Sequence, residues 1–217
     1  MRIVIVGGHS RIARLMLPRL AARGDEAVAL VRRPEQFEAV RALGGEPVLI
    51  DLEHLGAGAL VPSFTGADAI VFAASSGDGT PEQLWTVDFG GVTASIEAAK
   101  RAGVTRFVHV SSLGVGDTLP GYVSGPWWEA YFGAKREADA ALAASGLEWT
   151  SVRPGQLTDR EPTGTVQVAD RLPYSPVSRA DVADTIIASL DSPATVGRAF
   201  DLIGGPTPVA DALNGLT

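Results

Sequence analysis

Short apolar runs rich in β-branched residues recur along the chain, and polar segments of a different pattern separate them. The runs show little alternation between apolar and polar positions, which is typical of strands buried on both faces of a parallel sheet. They occupy residues 2–6, 27–31, 47–50, 69–74, 106–112 and 149–154. The pattern therefore predicts a sheet of buried, parallel strands.

Most of the intervening segments carry apolar residues at helical spacing. In residues 81–101 the apolar positions form one stripe on a helix, and Gly103 is placed to end it. The stripe consists of Leu84, Val87, Gly91, Ala94 and Ala98. Two more helices are predicted over 134–145 and 180–190. Alternating strands and helices predict an α/β fold, a doubly wound and mostly parallel sheet with helices on both faces, which binds ligands at the carboxyl ends of its strands.

Length and composition limit the classes of function. The 217 residues suffice for one domain, predicted to span 1–217. The net charge of −7 comes without a run of more than two basic residues, which argues against nucleic-acid binding. No apolar stretch is long enough for a membrane span, and there is no cysteine, so we expect a cytoplasmic protein. The three histidines show no ligand spacing, and no metal is expected.

The segment GGHSRIA, residues 7–13, joins the first strand to the first helix. Gly7 and Gly8 allow a tight turn at the strand end, outside the core, and Ser10 can cap the helix. Backbone N–H groups at a helix start hold anions, so the segment is either a phosphate cradle or only a tight turn. In the first case the contacts to a dinucleotide come from Gly7, Gly8, His9, Ser10, Arg11 and Ile12.

The ends of the next two strands bear on the identity of that dinucleotide. Arg32 and Arg33 follow the second strand, where a cofactor with a free ribose 2′-hydroxyl usually meets an acidic residue. Two guanidinium groups suit a 2′-phosphate, so NADP(H) is preferred over NAD(H), unless the pair is merely a solvated surface pair. After the third strand, Asp51 and Leu52 are placed to contact an adenine edge, although Asp51 is equally suited to cap a helix.

A second constellation lies in YFGAK, where Tyr131 and Lys135 are four residues apart and share a helix face. The chain has only two lysines and three tyrosines, so this spacing is moderately specific. Ser111 and Ser112 end the fifth strand, at the edge of the sheet where a site is expected.

Taken together, the chain resembles the short-chain dehydrogenase/reductase superfamily, and more closely its atypical single-domain NAD(P)H-binding branch, which includes epimerase/dehydratase-like and NmrA-like proteins. The resemblance rests on VGGHSRIA, LVRRP, IDLE, VDFGGVTASIEAAKRAGVTRFVHVSS, YFGAKREAD, SVRPGQLTD and SRADVA. It implies a Rossmann-type fold in which residues 155–180 contribute a substrate-side segment.

The resemblance also implies roles for individual residues. Tyr131 would be the general acid/base, Lys135 would bind the nicotinamide ribose, and Ser112 would orient the substrate oxygen. Ser112 is preferred over Ser111 because it stands three residues before Val115, as the active residue does in the related extended enzymes. Further cofactor contacts are expected after the fourth and sixth strands. They are Ala73, Ala74, Ser75, Pro154, Gly155 and Leu157.

Departures from the family pattern leave alternatives open. Ser10 and Ala13 replace two glycines, and Asp88 stands where many relatives have an asparagine. Some members of the branch bind the cofactor without doing chemistry. Trp127 and Trp128 precede Tyr131 and would either wall a pocket for an apolar substrate, pack the helix as a hydrophobic staple, or form a partner interface.

The sequence therefore predicts an NADP-dependent oxidoreductase acting on a small carbonyl or similar acceptor. The alternatives are a redox sensor that binds NADP(H) and signals to a partner protein, and an epimerase or dehydratase acting on a sugar nucleotide. The epimerase is disfavoured because only about 60 residues follow the sixth strand, few for a sugar-nucleotide domain. A small-molecule substrate is expected, and a homodimer is left open.

Overall fold

The computed structural model describes residues 1–55, 58–115 and 123–216. Its strands are β1 (Arg2–Val6), β2 (Glu26–Val31), β3 (Glu46–Leu49), β4 (Ala69–Phe72), β5 (Arg106–Val110), β6 (Glu148–Pro154), β7 (Gln156–Thr158), β8 (Thr165–Ala169), β9 (Pro176–Ser178), β10 (Arg198–Gly204) and β11 (Thr207–Pro208). Its α-helices are α1 (Arg11–Ala22), α2 (Phe37–Ala42), α3 (Val61–Phe64), α4 (Pro81–Gln83), α5 (Gly91–Ala102), α6 (Pro126–Ala143), α7 (Arg179–Asp191) and α8 (Val209–Asn214).

Nine strands form one sheet in the order β11-β8-β10-β6-β5-β4-β1-β2-β3. Every pairing from β10 to β3 is parallel, and only β8 runs antiparallel to its neighbours β10 and β11. β7 and β9 form a separate parallel pair. The order reverses between β1 and β4, which is the switch point where ligands bind in doubly wound sheets. The predicted α/β fold of Rossmann type is confirmed.

Two apolar layers flank the sheet. One layer packs α1, α7 and α8 against one face, through buried residues such as Met16, Ile186 and Leu213. The other packs α3, α5 and α6 against the opposite face, through residues such as Phe64, Ile96 and Leu142. Successive apolar residues of each strand point to opposite faces of the sheet and enter the two layers in turn. This explains why apolar and polar positions alternate so weakly in the strand sequences. No helix within the described ranges is both long and apolar enough to cross a bilayer.

The predicted helix over 81–101 forms, but its register differs from the prediction. Seven residues, Leu84–Gly90, adopt π-helical turns between α4 and α5, and Gly103 ends α5 with a φ of +75°. A π turn closes over one residue more than an α turn and shifts the buried face. As a result Asp88 is fully buried beside Val87, while Ala94 of the predicted stripe is only half-buried.

The two later helices also differ in their bounds. The helix predicted from residue 134 begins at Pro126, directly after Gly125 with a φ of +103°. Proline is well suited to the first helical position, where its missing N–H has no partner to lose. The helix predicted over 180–190 spans Arg179–Asp191, and the Ser178 side chain caps it by accepting a hydrogen bond from the Asp181 N–H. β7 to β11 and α8 were not predicted.

Candidate active site

The turn between β1 and α1 is closely packed against neighbouring strands. Gly7 has a φ of +82°, and a Cβ there would lie 2.5 Å from the Ala74 Cα. Gly8 donates its N–H to the Leu30 carbonyl at 2.8 Å, and a Cβ there would lie 2.7 Å from the Ala29 Cα. The expectation that this turn lies outside the core is therefore wrong, because Gly8 packs on β2 and its N–H is already bonded.

The start of α1 keeps donors available to a ligand. The Ser10 Oγ accepts a hydrogen bond from the Ala13 N–H at 3.2 Å, which confirms Ser10 as the cap. The first bond of the helical turn runs from the Arg14 N–H to the Ser10 carbonyl. The N–H groups of Arg11 and Ile12 therefore precede the helical ladder, where a helix start favours an anion.

A cleft of about 270 Å³ opens along the carboxyl ends of β1, β2, β3 and β4. Nine of the predicted cofactor residues line it, namely Gly7, His9, Ser10, Arg32, Arg33, Asp51, Leu52, Ala74 and Ser75. Eight further lining residues were not predicted: Val6, Leu30, Val31, Gln36, Ile50, Glu53, Ser76 and Val87. The strand-end apolar residues among these could have been found, because they directly precede the predicted contacts in the sequence. The cleft lies at the switch point of the sheet.

Arginines and carboxylates meet beyond β2 and β3. The Arg32 Nη1 lies 3.9 Å from the Glu53 Oε1, and Glu53 also accepts a hydrogen bond from the Gln83 Nε2 at 3.1 Å. The Arg33 N–H donates to the Gln36 Oε1 at 3.2 Å, so the side chain of Gln36 orders the backbone that presents both arginines. With Asp51, which also lines the cleft, the arrangement offers two guanidinium groups and two carboxylates to whatever enters it.

Asp51 caps a short 3-10 helix, as one of its two predicted roles required. Its Oδ1 accepts the Glu53 N–H at 3.0 Å, and its Oδ2 lies 2.9 Å from the His54 Nδ1. The hydrogen bond from His54 lowers the pKa of Asp51, and the same bond raises the pKa of His54. Leu52 begins this 3-10 helix and is half-buried at the cleft.

Lys135 lies in a buried ion pair on α6. Its Nζ is 3.1 Å from the Asp88 Oδ1 and donates to the Val110 carbonyl at 3.1 Å, and both side chains are at most 3% exposed. Burial by itself would lower the pKa of Lys135, but the carboxylate of Asp88, together with Tyr131, outweighs it and raises that pKa. The other oxygen of Asp88 accepts the Ser76 N–H at 2.9 Å. Asp88 thus connects the cleft-lining segment after β4 to the helix that carries Tyr131.

Tyr131 is half-buried in an aromatic cluster. Its ring stacks on Trp127 with a centroid separation of 5.3 Å, and Trp128 meets it edge-on at 5.9 Å. The Trp127 Nε1 donates to the Gly79 carbonyl at 2.8 Å. Trp127 therefore packs α6 against the segment before α4, whereas Trp128 is 36% exposed. Of the three roles considered for the two tryptophans, Trp127 has the packing of a hydrophobic staple.

A buried carboxylate, Asp139, fixes the position of α6 over β5 and β6. It lies one helical turn after Lys135 and accepts hydrogen bonds from His109, Ser111, Ser151 and Arg153. Burial would raise the pKa of Asp139, but the hydrogen bond from His109 and the other donors and charges lower it to about 2.

His109 of β5 and the two serines that follow β5 complete this region. Burial lowers the pKa of His109, so its imidazole stays neutral near pH 7. Ser111 is buried on Asp139, whereas Ser112 is half-buried and accessible in part. This difference favours Ser112 over Ser111 as the residue that meets a substrate. Asp139 and His109 were missed because only the packing of α6 on the sheet brings them together.

The remaining predicted cofactor residues do not line the cleft. Ala73 is buried and donates its N–H to the Val6 carbonyl at 2.9 Å. The Gly155 N–H bonds to the Leu202 carbonyl at 2.9 Å, and a Cβ there would lie 3.1 Å from an Ile203 methyl group. Gly8, Arg11, Ile12, Lys135, Pro154 and Leu157 are likewise outside its lining.

Arg11 connects the start of α1 to the segment after β6. Its Nη1 lies 3.5 Å from the Asp159 Oδ2, and Asp159 also accepts a hydrogen bond from Arg179 at 2.7 Å. Asp159 follows β7 directly, so the predicted substrate-side segment is tied to both α1 and α7. Within the described part of the chain, no group of three or more potential ligand side chains is arranged to hold a metal.

Comparison with known proteins agrees with this geometry. A family described as NAD(P)H-binding matches residues 7–193. The uncharacterized sugar epimerase YhfK of Bacillus subtilis is 39% identical over 221 residues, covering the whole of both chains. A solved structure from Bacillus halodurans, provisionally named an NAD-dependent epimerase/dehydratase, superimposes with a TM-score of 0.90 at 35% identity over 99% of each chain. The oxidoreductase YlbE of Lactococcus lactis superimposes with a TM-score of 0.86 at 27% identity, over 100% of this chain and 96% of that one.

Proposed function

Because the chain belongs to the family of NAD(P)H-binding proteins, we propose that it is an NADP(H)-dependent oxidoreductase of the short-chain type that acts on a small carbonyl or a similar acceptor. The observation that carries this proposal is the alignment of two features along one edge of the sheet. A cleft with a capped helix start lies at the switch point, and the Tyr131–Lys135 pair lies on α6 beside the same edge.

The residues of the cleft fit a dinucleotide. Gly7 lines the cleft with bare backbone, and the N–H groups of Arg11 and Ile12 precede the helical ladder of α1. These features suit a pyrophosphate, which needs close backbone approach and unbonded donors. Leu52 and Ile50 supply apolar contact for an adenine ring. When bound, the nicotinamide supplies the hydride exchange, and the chain supplies position and protons.

The assignment of NADP(H) rests on Arg32 and Arg33. Both line the cleft after β2, and guanidinium groups bind phosphate through two parallel hydrogen bonds. Glu53, 3.9 Å from Arg32, is the carboxylate that would instead accept a hydrogen bond from a free ribose hydroxyl. Both carboxylates of the cleft already have protein donors, Asp51 from His54 and Glu53 from Gln83, and for this reason the proposal favours the phosphorylated cofactor.

Replacing Arg32 and Arg33 together by alanine tests this assignment. NADPH binding should weaken by about 2–4 kcal/mol, because two charge-assisted contacts are lost, while NADH binding stays nearly unchanged. Fluorescence titration of both nucleotides measures the difference. Equal losses for the two nucleotides would contradict a 2′-phosphate contact.

In the proposed reaction Tyr131 exchanges the proton of the substrate oxygen, and Ser112 orients that oxygen. Lys135 holds its ammonium beside Tyr131, one turn along the same face of α6. Lys135 forms an ion pair with Asp88 and donates one N–H to the Val110 carbonyl, which leaves donor capacity for the ribose of the cofactor. Tyr131 and Lys135 therefore have different roles, and substituting each should affect turnover and NADPH affinity differently.

Single substitutions on α6 distinguish these duties. Tyr131→Phe should lower turnover about 10²-fold or more and leave NADPH affinity within a few-fold, since only the hydroxyl is removed. Lys135→Met should impair both. Lys100→Met is the matched control, because Lys100 is an exposed lysine on α5. NADPH oxidation is followed with a panel of carbonyls, quinones and flavins, and thermal melts check folding. Turnover that survives Tyr131→Phe unchanged would refute the proton assignment.

An epimerase is the second candidate, and the alignment with YhfK favours it. That relative is covered over its full length by a chain of this size, so the shortness of the segment after β6 does not count against the activity. An epimerase recycles its nucleotide and gives no net NADPH oxidation. Isomerisation of a sugar nucleotide without net consumption of NADPH would support the epimerase over the oxidoreductase. Tight NADPH binding with neither activity would instead indicate a sensor.

A further inference from the structure

One titratable side chain of the cleft, His9, has no assigned chemistry. His9 lies in the β1–α1 turn, while Arg32 and Arg33 follow β2, the strand hydrogen-bonded to β1. All three side chains line the same cleft. The carboxyl ends of adjacent parallel strands meet at one edge, so three basic groups converge where a phosphate is proposed to bind.

The charges around His9 oppose its protonation when no anion is present. Burial together with Arg14 on α1 and Arg33 lowers the pKa of His9. The carboxylates after β3 have other partners, since Asp51 binds His54 and caps a helix, and Glu53 lies near Arg32 and accepts from a glutamine. His9 is therefore neutral near pH 7, because burial and the cations Arg14 and Arg33 disfavour its protonation.

We propose that His9 takes up a proton when the 2′-phosphate of NADP(H) binds beside Arg32 and Arg33, so that selection of NADP(H) over NAD(H) strengthens as the pH falls. This inference rests on the proposed function, which assigns the 2′-phosphate to this end of the cleft. A dianion placed beside the two arginines and His9 opposes the positive field that keeps His9 neutral. NAD(H) carries only a hydroxyl at the same position and brings no such charge.

The direction in which affinity changes with pH distinguishes protonation of His9 from protonation of the phosphate. A histidine that is neutral in the free protein and charged in the complex makes binding take up a proton, so affinity rises toward acid pH. A phosphate monoester has a second pKa of about 6, and its binding as a dianion would release a proton and weaken affinity toward acid pH. Of these two groups, only the histidine makes the affinity for the nucleotide rise toward acid pH.

Direct binding measurements test the proposal without any substrate. NADPH and NADH are titrated calorimetrically at pH 6, 7 and 8, in buffers of different ionisation enthalpy that report the protons taken up. The ratio of NADH to NADPH dissociation constants should rise about tenfold from pH 8 to pH 6, with a larger fractional proton uptake on NADPH binding than on NADH binding. His9→Gln should abolish the uptake and remove or reverse the trend in the ratio, while thermal melts confirm folding.

His54→Gln is the control, because His54 is an exposed histidine held by Asp51 near the same cleft. This variant should keep the pH dependence of the native protein. A ratio independent of pH, uptake that persists in His9→Gln, uptake lost in His54→Gln, or equal uptake with NADH would each overturn the inference. Binding of neither nucleotide would overturn both the inference and the proposed cofactor. NADPH binding with proton uptake but without turnover would leave the inference standing and refute only the proposed activity.

Discussion

Removing one member of the buried pair Asp88–Lys135 should destabilise the protein more than removing both. In Lys135→Met the carboxylate of Asp88 keeps only the Ser76 N–H as a partner, and in Asp88→Asn the ammonium keeps only the Val110 carbonyl. Each single variant therefore leaves an uncompensated charge in a region closed to water. The double variant leaves no charge there, and its asparagine can still accept from the Ser76 N–H.

The magnitudes follow from the burial of both side chains, which are 0% and 3% exposed. Breaking a buried pair by removing one partner costs about 3–5 kcal/mol, whereas replacing both partners is often close to neutral. For a chain of this size, 1 kcal/mol shifts Tm by about 2–4 °C. Each single variant should therefore melt about 10 °C lower, and the double variant should recover most of that loss.

Urea unfolding of the native protein, both single variants and the double variant at pH 7 gives the coupling free energy. Lys100 and Glu97 supply the control cycle, because their side-chain atoms lie 3.8 Å apart on α5 but are 42% and 71% exposed. Exposed pairs of this kind couple by less than about 1 kcal/mol. Additive losses at Asp88 and Lys135 would refute the reasoning, since they would mean that water or another ion already screens the pair.

Two further predictions concern stability. Gly8→Ala should lower the free energy of unfolding by about 1–3 kcal/mol, because its Cβ would lie 2.7 Å from the Ala29 Cα, and unchanged urea midpoints would contradict that packing. The pKa of Asp139 is about 2 in the folded protein against 3.8 ordinarily, so it stabilises the fold by about 2 kcal/mol above pH 4, and this contribution is lost as the pH falls toward 2. In Asp139→Asn the free energy of unfolding, measured by urea titration, should depend less on pH between pH 4 and pH 2. The same pH dependence as in the native protein would contradict the role given to Asp139.

The strands could be predicted because their chemistry is local. Continuous apolar runs can be buried only in a parallel sheet with both faces covered, and all six predicted runs form strands. Three runs were predicted too long, since Ile50, Ala73–Ala74 and Ser111–Ser112 lie beyond the ends of β3, β4 and β5. Small residues that follow a strand at the edge of a site are buried as strand residues are. The hydrophobic pattern therefore does not show where the strand ends.

Residues of the cleft that depend on local geometry were also predictable. Gly7 and Ser10 follow from what a strand–turn–helix junction demands, and Arg32 follows from its place after the second strand; all three line the cleft. Asp88 and Asp139 could not be assigned in this way. Their partners lie on other elements, and the π turns that bury Asp88 have no recognised signal in the sequence.

The same buried charges make the pH test of His9 interpretable. Between pH 6 and 8 Asp139 stays ionised because its pKa is about 2, and Lys135 stays protonated because Asp88 helps to raise its pKa. Burial lowers the pKa of His109, which keeps that imidazole neutral at pH 7 and above. The supports of α6 therefore hold a constant charge at pH 7 and above, and any change there in cofactor selection must arise at the cleft. His9 and His54 are the two remaining histidines, and the two glutamine variants separate them.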